Sequence, residues 1–314
     1  MFSEKNVSKI PYELVDHIIL FADDSKKIHK SKHLHVCSDI IRMSEIMECD
    51  IQSIIFDGPA EKLNRTEYTQ PAIYIVSAII GYLLIDKGLK PDALAGHSLG
   101  EYSALSIGGV FDFPTGLKLV KFRSENMAEA GKKEKGSMAA IVGLDDNSVQ
   151  KVCSSYDGTG TVVAANYNSP GQVVISGSPD AIQWAMNASK EAGARMSVEL
   201  NVSGAFHSPL MSSARENLAE MINSLEISNS TFPVYTNVDA KPVTKNKDIK
   251  DSLIRQLESP VQWTKTILAM KKNGINSFFE VGPGKVLQGL NKRIDRSILS
   301  KGIDSIKQLE QINV

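Results

Sequence analysis

The sequence contains little of what marks several common classes of protein. Its 314 residues include three cysteines, at positions 37, 49 and 153. They are too few and too irregularly spaced for a disulfide framework or a zinc site, as expected in a reducing cytoplasm. The 35 basic and 36 acidic residues nearly cancel, so no basic excess indicates nucleic-acid binding. No apolar run approaches a membrane span, and the N-terminus lacks the apolar stretch of a signal peptide. These absences predict a cytoplasmic protein with neither nucleic acid nor a membrane as partner.

One short motif carries most of the functional information. Residues 96–100 read Gly-His-Ser-Leu-Gly, the G-x-S-x-G pattern of a nucleophile elbow. A strand is predicted over residues 91–95 and a helix over residues 99–107, which would place Ser98 in a sharp turn with its hydroxyl exposed. Unpaired N–H groups at the helix N-terminus would face the charge that develops during acyl transfer. The simpler alternative is a glycine-flanked serine in an ordinary loop.

The elements predicted along the chain favour an α/β protein in two parts. A lysine-rich segment, residues 131–136, is predicted to be a solvated turn at the boundary. The pattern after it is β-α-β-β-α-β, the order of a ferredoxin-like unit. Its predicted strands cover residues 137–142, 161–166, 172–176 and 195–200, and its helices cover residues 145–155 and 179–192.

The flanking segments alternate helices with apolar strands, such as residues 232–235 and 277–281, which favours a parallel sheet. We therefore predict an α/β-hydrolase-like core with a parallel sheet, formed by residues 1–131 and 202–314. A small ferredoxin-like subdomain, residues 132–201, would be inserted into this core.

The longer string Gly-His-Ser-Leu-Gly-Glu-Tyr, residues 96–102, resembles the signature of malonyl-CoA:acyl carrier protein transacylases. It is also similar to the acyltransferase domains of fatty acid and polyketide synthases. The resemblance implies the same two-part architecture, with the active site in the cleft between the parts, and the stand-alone bacterial enzyme is the nearest member in length. It runs collinearly over about residues 50–295, and its other landmarks are residues 57–64, 69–72, 122–124, 168–177, 204–211, 260–263 and 280–284.

A serine nucleophile needs a base, and the chain has six histidines. Four of them, at positions 17, 29, 33 and 35, are expected to be solvated or packing residues. His97 adjoins Ser98, so its side chain should point away from the hydroxyl. The resemblance assigns the base to His207, within the matching segment Ala-Phe-His-Ser-Pro-Leu-Met. It also implies that the backbone carbonyl of Gln256 orients this histidine, whereas the pattern alone would make Gln256 an exposed helix residue.

The resemblance also implies which residues recognise the substrate. Arg123 lies in an amphipathic helical run, where an arginine is usually on a solvated face. The family match places it in the cleft instead, where its planar guanidinium would pair with the free carboxylate of malonate. Gln70 and Met127 would line the acyl pocket, and Phe206 would fill the space that a methyl-branched acyl group needs. Three asparagines are either site residues or ordinary turn and strand-end residues, and these are Asn166, Asn168 and Asn237.

The resemblance does not extend to residues 1–36. Family members open with a short strand followed by Phe-Pro-Gly-Gln-Gly-Ser-Gln, whose glutamine amide is one of two oxyanion donors. The other donor corresponds to the backbone amide of Leu99. Here a strand is predicted over residues 17–21, but Ala-Asp-Asp-Ser-Lys follows at residues 22–26 without either glycine. Because one lost donor typically costs about 10²–10³ in turnover, we expect a correct fold with reduced turnover.

The resemblance therefore implies an acyltransferase that moves malonyl from malonyl-CoA to the phosphopantetheine thiol of acyl carrier protein, for fatty acid or polyketide synthesis. The reaction would pass through a malonyl ester on Ser98, with no metal and no tightly bound cofactor. Acyl carrier protein would be a transient partner of a monomeric enzyme in the bacterial cytoplasm. Two alternatives remain open, namely a serine hydrolase that uses the same Ser98–His207 pair and a non-catalytic protein that binds the carrier.

Overall fold

The computed structural model describes residues 36–312 of the chain. The strand predicted over residues 17–21, the segment 22–26 and the four N-terminal histidines lie outside the described residues. The α-helices are α1 Val36–Met47, α2 Ile51–Phe56, α3 Ala60–Leu63, α4 Thr66–Asp86, α5 Gly100–Ile107, α6 Phe113–Lys133, α7 Asp146–Ser154, α8 Pro179–Glu191, α9 Ser212–Ser224, α10 Asn246–Gln256, α11 Trp263–Lys272, α12 Val286–Ile294 and α13 Ile306–Glu310. The strands are β1 Leu94–Ala95, β2 Ser137–Val142, β3 Val162–Ser169, β4 Gln172–Gly177, β5 Met196–Glu199, β6 Val234–Tyr235, β7 Pro242–Val243, β8 Ser277–Val281 and β9 Leu299–Ile303.

Helix α4 is the apolar centre of the larger part of the molecule. It is 21 residues long, and by length and composition alone it could cross a membrane. The expectation that no segment approaches a membrane span is therefore wrong for this helix, whose apolar run follows Gln70 and Pro71 in the sequence. Inside the protein, 72% of its most apolar window is buried. A helix that is apolar on all sides and packs between neighbours in this way is a core helix.

The sheets of the larger part are mixed rather than uniformly parallel. Strand β1 pairs in parallel with β6, and β7 pairs with β6 in the antiparallel direction. Strands β8 and β9 form a separate parallel pair. The prediction of one parallel sheet is thus wrong in detail, because β7 follows β6 through a short turn. Such a turn can join only antiparallel neighbours, since parallel neighbours need a long crossover.

The smaller part is one antiparallel sheet in the order β3-β4-β2-β5. Its strands and its two helices begin and end within a few residues of the predicted bounds. One face of the sheet packs under α7 and α8 around buried residues such as Val173 and Ile175. The opposite face, with Met138 and Val174, packs against Phe206 of the larger part. The unit therefore lies directly against the loop that carries His207.

The connection into the smaller part differs from the solvated turn predicted for residues 131–136. Helix α6 continues through Lys133, and two lysines in its last turn interact favourably with the helix dipole. Gly131 packs against the loop after β5, where a Cβ would lie 2.3 Å from the carbonyl oxygen of Ser203. A glycine is needed here for close approach, not to end the helix.

The packing of the small sheet yields a matched test of its core. Val173 is fully buried on the helix-covered face, whereas Val198 on β5 is 36% exposed. Val173→Ala should lower the free energy of unfolding by about 2 kcal/mol, since two buried methyl groups are removed and a cavity remains. Val198→Ala should change it by about 0.5 kcal/mol or less. Equilibrium urea denaturation measures both, and equal losses would contradict the packing described here.

Candidate active site

The turn at residues 96–100 is held in a strained conformation. Ser98 has a φ of 51°, in the left-handed region that residues with a Cβ rarely adopt. Gly96 must be glycine, because a Cβ there would lie 1.9 Å from the carbonyl carbon of Gly100. Asn237 clamps the turn from the other side, since its Oδ1 accepts from the Ser98 amide at 2.6 Å and its Nδ2 donates to the Gly96 carbonyl at 2.6 Å. The serine hydroxyl is thereby fixed at the N-terminal end of α5.

Ser98 and His207 form a hydrogen-bonded pair across the site. The Oγ of Ser98 lies 2.8 Å from Nε2 of His207. The other ring nitrogen, Nδ1, lies 3.0 Å from the carbonyl oxygen of Gln256 and 3.1 Å from that of Ser259. Because carbonyl oxygens only accept, Nδ1 carries the ring proton and Nε2 presents its lone pair to the serine. This is the arrangement that a serine nucleophile and its base require.

The environment keeps His207 neutral. Burial lowers the pKa of His207 to about 3, and the nearby positive charge of Arg123 adds to the shift. The residue is 3% exposed, so little water reaches the ring to stabilise the imidazolium. A histidine in this state is ready to accept the serine proton at neutral pH.

Arg123 is buried at the serine hydroxyl rather than on a solvated face. Its side chain is 1% exposed, although the amphipathic pattern of α6 alone favours exposure. The Nη2 atom donates to Ser98 Oγ and to Gln256 Oε1, each at 3.2 Å, and Nη1 donates to Gln70 Oε1. Among residues 42–312, no carboxylate lies within ion-pairing distance of this guanidinium. The site therefore offers a desolvated cation next to the nucleophile.

The other residues predicted to line the pocket lie near Arg123 or adjoin Ser98 and His207 in the sequence. Gln70 Nε2 donates to Thr66 Oγ1 at 2.7 Å and faces Met127 Sδ at 3.4 Å. Phe206 packs both against the core of the larger part and against the face of the small sheet that carries Met138 and Val174. Leu99 directly precedes α5, and the first N–H groups of a helix have no partner within the helix.

His97 points away from the Ser98 hydroxyl, as predicted, and towards the smaller part of the molecule. Its Nε2 lies 2.8 Å from Asn168 Oδ1, and its ring lies 5.7 Å from that of Trp263. Of the three asparagines, Asn237 and Asn168 thus hold the motif, whereas Asn166 forms a backbone bridge to Val261. His97 joins the motif to strand β3 and does not face the Ser98 hydroxyl.

Sequence reasoning missed two further side chains that complete the site. Glu101 is 1% exposed, and its Oε2 accepts from Gln256 Nε2 at 2.7 Å and from the Asn237 amide at 3.0 Å. The Gln256 side chain also donates to the Ser98 carbonyl at 3.1 Å. A glutamate within a run of small and apolar residues, directly after the second glycine of the motif, was the available signal for burial.

Comparison with known proteins places this geometry in a family. A family model described as the acyl transferase domain matches residues 38–307. The chain is 41% identical to a malonyl CoA-acyl carrier protein transacylase of Haemophilus influenzae, over 86% of this chain and 87% of the relative. It is 40% identical to the Bacillus subtilis protein of the same name, over 85% of this chain and 84% of the relative.

Solved structures agree with the sequence comparison. An acyl carrier protein S-malonyltransferase from Vibrio cholerae superimposes with a TM-score of 0.85 at 41% identity, covering 88% of this chain and 90% of the other. A malonyl-transacylase solved in complex with its type II polyketide synthase acyl carrier protein superimposes with a TM-score of 0.84 at 38% identity, covering 87% and 89%. The chain thus belongs to the acyl transferase domain family, among the malonyl CoA-acyl carrier protein transacylases.

Proposed function

We propose that this protein transfers a malonyl group from malonyl-CoA to the phosphopantetheine thiol of acyl carrier protein, through an ester on Ser98. One observation carries the proposal: a single hydroxyl, Ser98 Oγ, lies 2.8 Å from the His207 ring and 3.2 Å from the Arg123 guanidinium. The first contact suits a nucleophile and its base, and the second suits an acyl group with a negative end. The carrier as acceptor is supported by the relative that was solved with its acyl carrier protein.

The first half-reaction uses the pair as nucleophile and general base. Ser98 Oγ attacks the thioester carbonyl while its proton moves to Nε2 of His207. In this proposal the backbone N–H of Leu99, which directly precedes α5, donates to the resulting oxyanion. When the tetrahedral intermediate collapses, the C–S bond breaks and His207 returns the proton to the coenzyme A thiolate.

The second half-reaction runs the same steps with the carrier's thiol as nucleophile. His207 accepts the thiol proton, the thiolate attacks the ester carbonyl, and the proton returns to Ser98 Oγ as the ester bond breaks. Throughout both steps, Nδ1 stays hydrogen-bonded to the backbone carbonyls of Gln256 and Ser259. These carbonyls orient the ring and stabilise the imidazolium that forms transiently.

Arg123 is proposed to hold the free carboxylate of the malonyl group. A planar guanidinium binds a carboxylate through two parallel hydrogen bonds, and burial strengthens that attraction. The side-chain oxygens of Gln70 and Gln256 orient the guanidinium by accepting hydrogen bonds from its Nη1 and Nη2 atoms, respectively. A serine hydrolase acting on neutral acyl groups gains nothing from a buried cation at the nucleophile, and a carrier-binding protein without catalysis gains nothing from the assembled pair.

The finer architecture belongs to the same proposal. We infer a ferredoxin-like subdomain over residues 132–201, inserted into an α/β-hydrolase-like core of residues 1–131 and 202–314. Numbered from 1 to 4 within this unit, the strands lie in the order 2-3-1-4 with two helices on one face, which supports the first part. Action as a monomer in the cytoplasm, without a tightly bound cofactor, stays a prediction. So does the reduced turnover, whose basis, residues 22–26, lies outside the described residues.

The Ser98–His207 pair can be tested by covalent labelling. Ser98→Ala should abolish formation of a malonyl-enzyme, and His207→Ala should slow it by about 10²–10⁴-fold, the usual contribution of a general base. Intact-protein mass spectrometry after mixing with malonyl-CoA measures the adduct over time. His97→Gln is the matched control and should slow labelling by less than about tenfold, since His97 faces Asn168. A stable malonyl adduct on the Ser98→Ala protein would rule out this nucleophile.

The role of Arg123 can be tested with two acyl groups that differ by a carboxylate. Arg123→Ala should lower kcat/KM for malonyl-CoA more than for acetyl-CoA, so that the malonyl preference falls by about 10–100-fold, as for a hydrogen bond to a charged group. Arg123→Lys keeps the charge but not the bidentate geometry and should recover only part of the preference. Equal losses for the two substrates would show that Arg123 only supports the structure.

The low pKa of His207 predicts the pH dependence of acylation. Since burial and Arg123 depress its pKa to about 3 in the folded protein, the ring stays in its neutral, proton-accepting form as the pH falls through 6.5. The single-turnover acylation rate should therefore stay level from about pH 8 to about pH 5. Circular dichroism at each pH confirms that the protein remains folded. A decline with a midpoint near 6.5, the ordinary histidine value, would contradict the described environment.

A further inference from the structure

Glu101 is a buried acidic side chain that the proposed chemistry does not use. It lies on the first turn of α5 and is 1% exposed. No lysine, arginine or histidine forms an ion pair with it among residues 36–312. Removing a carboxyl group from water without a cationic partner is costly unless hydrogen bonds compensate. The hydrogen-bond partners of the Glu101 carboxyl group should therefore indicate its role.

The first contact determines how the Gln256 amide is oriented. Glu101 Oε2 accepts from Gln256 Nε2 at 2.7 Å, while Arg123 Nη2 donates to Gln256 Oε1 at 3.2 Å. A carboxylate offers acceptors and a guanidinium offers only donors, so the amide has one favourable orientation between them. In that orientation the second Nε2 hydrogen reaches the Ser98 carbonyl at 3.1 Å. Gln256 is thus held between the two buried charged groups.

The second contact reaches the nucleophile from its other side. The same Oε2 atom accepts a hydrogen bond from the backbone N–H of Asn237 at 3.0 Å. The Asn237 side chain in turn binds the Ser98 backbone N–H and the Gly96 carbonyl, two backbone groups of the turn that contains the strained Ser98. One oxygen of Glu101 therefore binds both Asn237 and Gln256, whose side chains in turn hydrogen-bond to the backbone of the turn at Ser98.

We propose that Glu101 is a positioning residue: by accepting two hydrogen bonds through one oxygen, it fixes Gln256 and Asn237 and thereby the Ser98 turn, the His207 ring and the Arg123 guanidinium. The inference rests on the proposed roles of Ser98 and His207. What matters in this role is the place of an acceptor oxygen, not the negative charge. A misplacement of about 1 Å in a catalytic group can cost about 10²-fold in rate.

The charge state of Glu101 agrees with a geometric role. Burial raises the pKa of Glu101 to about 7, and its hydrogen bonds to Gln256 and Asn237, with Arg123 and Ser252 nearby, act in the opposite direction. At neutral pH the carboxyl is therefore present in both forms. A carbonyl-type oxygen can accept the two hydrogen bonds in either form.

Three substitutions separate position from charge. Glu101→Gln keeps an acceptor oxygen at the same reach and removes the charge, whereas Glu101→Asp keeps the charge but shortens the side chain by about 1.5 Å. Glu101→Ala removes both. We expect kcat for malonyl transfer within about threefold of the unsubstituted protein for Gln, and lower by about 10²-fold for Asp and Ala. KM should change by less than about threefold in all three.

Ser103→Ala is the matched control on the same helix. Ser103 is also buried, and its hydroxyl has no hydrogen-bond partner in the part of the chain that the structure describes. This variant should leave kcat unchanged. A residue of merely structural importance would lower the melting temperature without lowering kcat per folded molecule, so both are measured for every variant. If the Ala variant fails to fold, the comparison of Gln with Asp still decides.

A readout that does not depend on activity completes the experiment. Hydrogen–deuterium exchange at the backbone N–H of Asn237 should stay slow in Glu101→Gln and become fast in Glu101→Asp. An unsubstituted protein that forms no malonyl–Ser98 adduct would defeat the proposed function, and the exchange data would still test the role of Glu101. Full activity with Asp, low activity with Gln, or equal exchange in both would overturn the positioning role. A higher kcat together with slower exchange in Glu101→Gln than in Glu101→Asp would establish the positioning role.

Discussion

The hydrogen bond between Ser98 and His207 joins residues 109 positions apart, and most of the structure serves to make it. Both residues have a positive φ, 51° for Ser98 and 58° for His207, a conformation that costs free energy for any residue with a Cβ. Strain of this kind persists only where the surroundings hold it. Here Asn237 holds the first residue by two hydrogen bonds, and two backbone carbonyls hold the ring of the second.

The electrostatics of the site follow from burial more than from ion pairing. Arg123 and Glu101 are both almost fully buried, yet the Gln256 amide lies between them instead of a direct salt bridge. The amide accepts a hydrogen bond from Arg123 and donates one to Glu101, so the guanidinium has no carboxylate partner of its own in this arrangement. Burial is the main reason why the His207 ring stays neutral, and the buried cation of Arg123 further disfavours a second positive charge there. Arg123 is therefore both the proposed partner of the substrate carboxylate and one of the causes that keep the His207 ring unprotonated.

The parts predictable from the sequence were those in which local pattern decides structure. Strands β8 and β2 begin and end at the predicted residues, and helix α8 begins at Pro179 as predicted. The burial of Arg123 was not predictable from the helical pattern, because it depends on Gln70 from α4 and Gln256 from α10. The contacts of Glu101 were equally unpredictable from local pattern, since its partners Asn237 and Gln256 lie 136 and 155 residues away.

The resemblance of motifs supplied what local pattern could not, by naming His207, Arg123 and Gln256 together. It could not supply the contacts that keep the two parts of the molecule in register. His97 reaches Asn168 on β3, the backbone of Asn166 pairs with Val261, and Phe206 packs under the small sheet. The first and third contacts involve residues next to Ser98 and His207, and Val261 lies two residues after Ser259, whose carbonyl contacts the His207 ring. The two parts are therefore not independent units, because these contacts join the small sheet to residues next to Ser98 and His207.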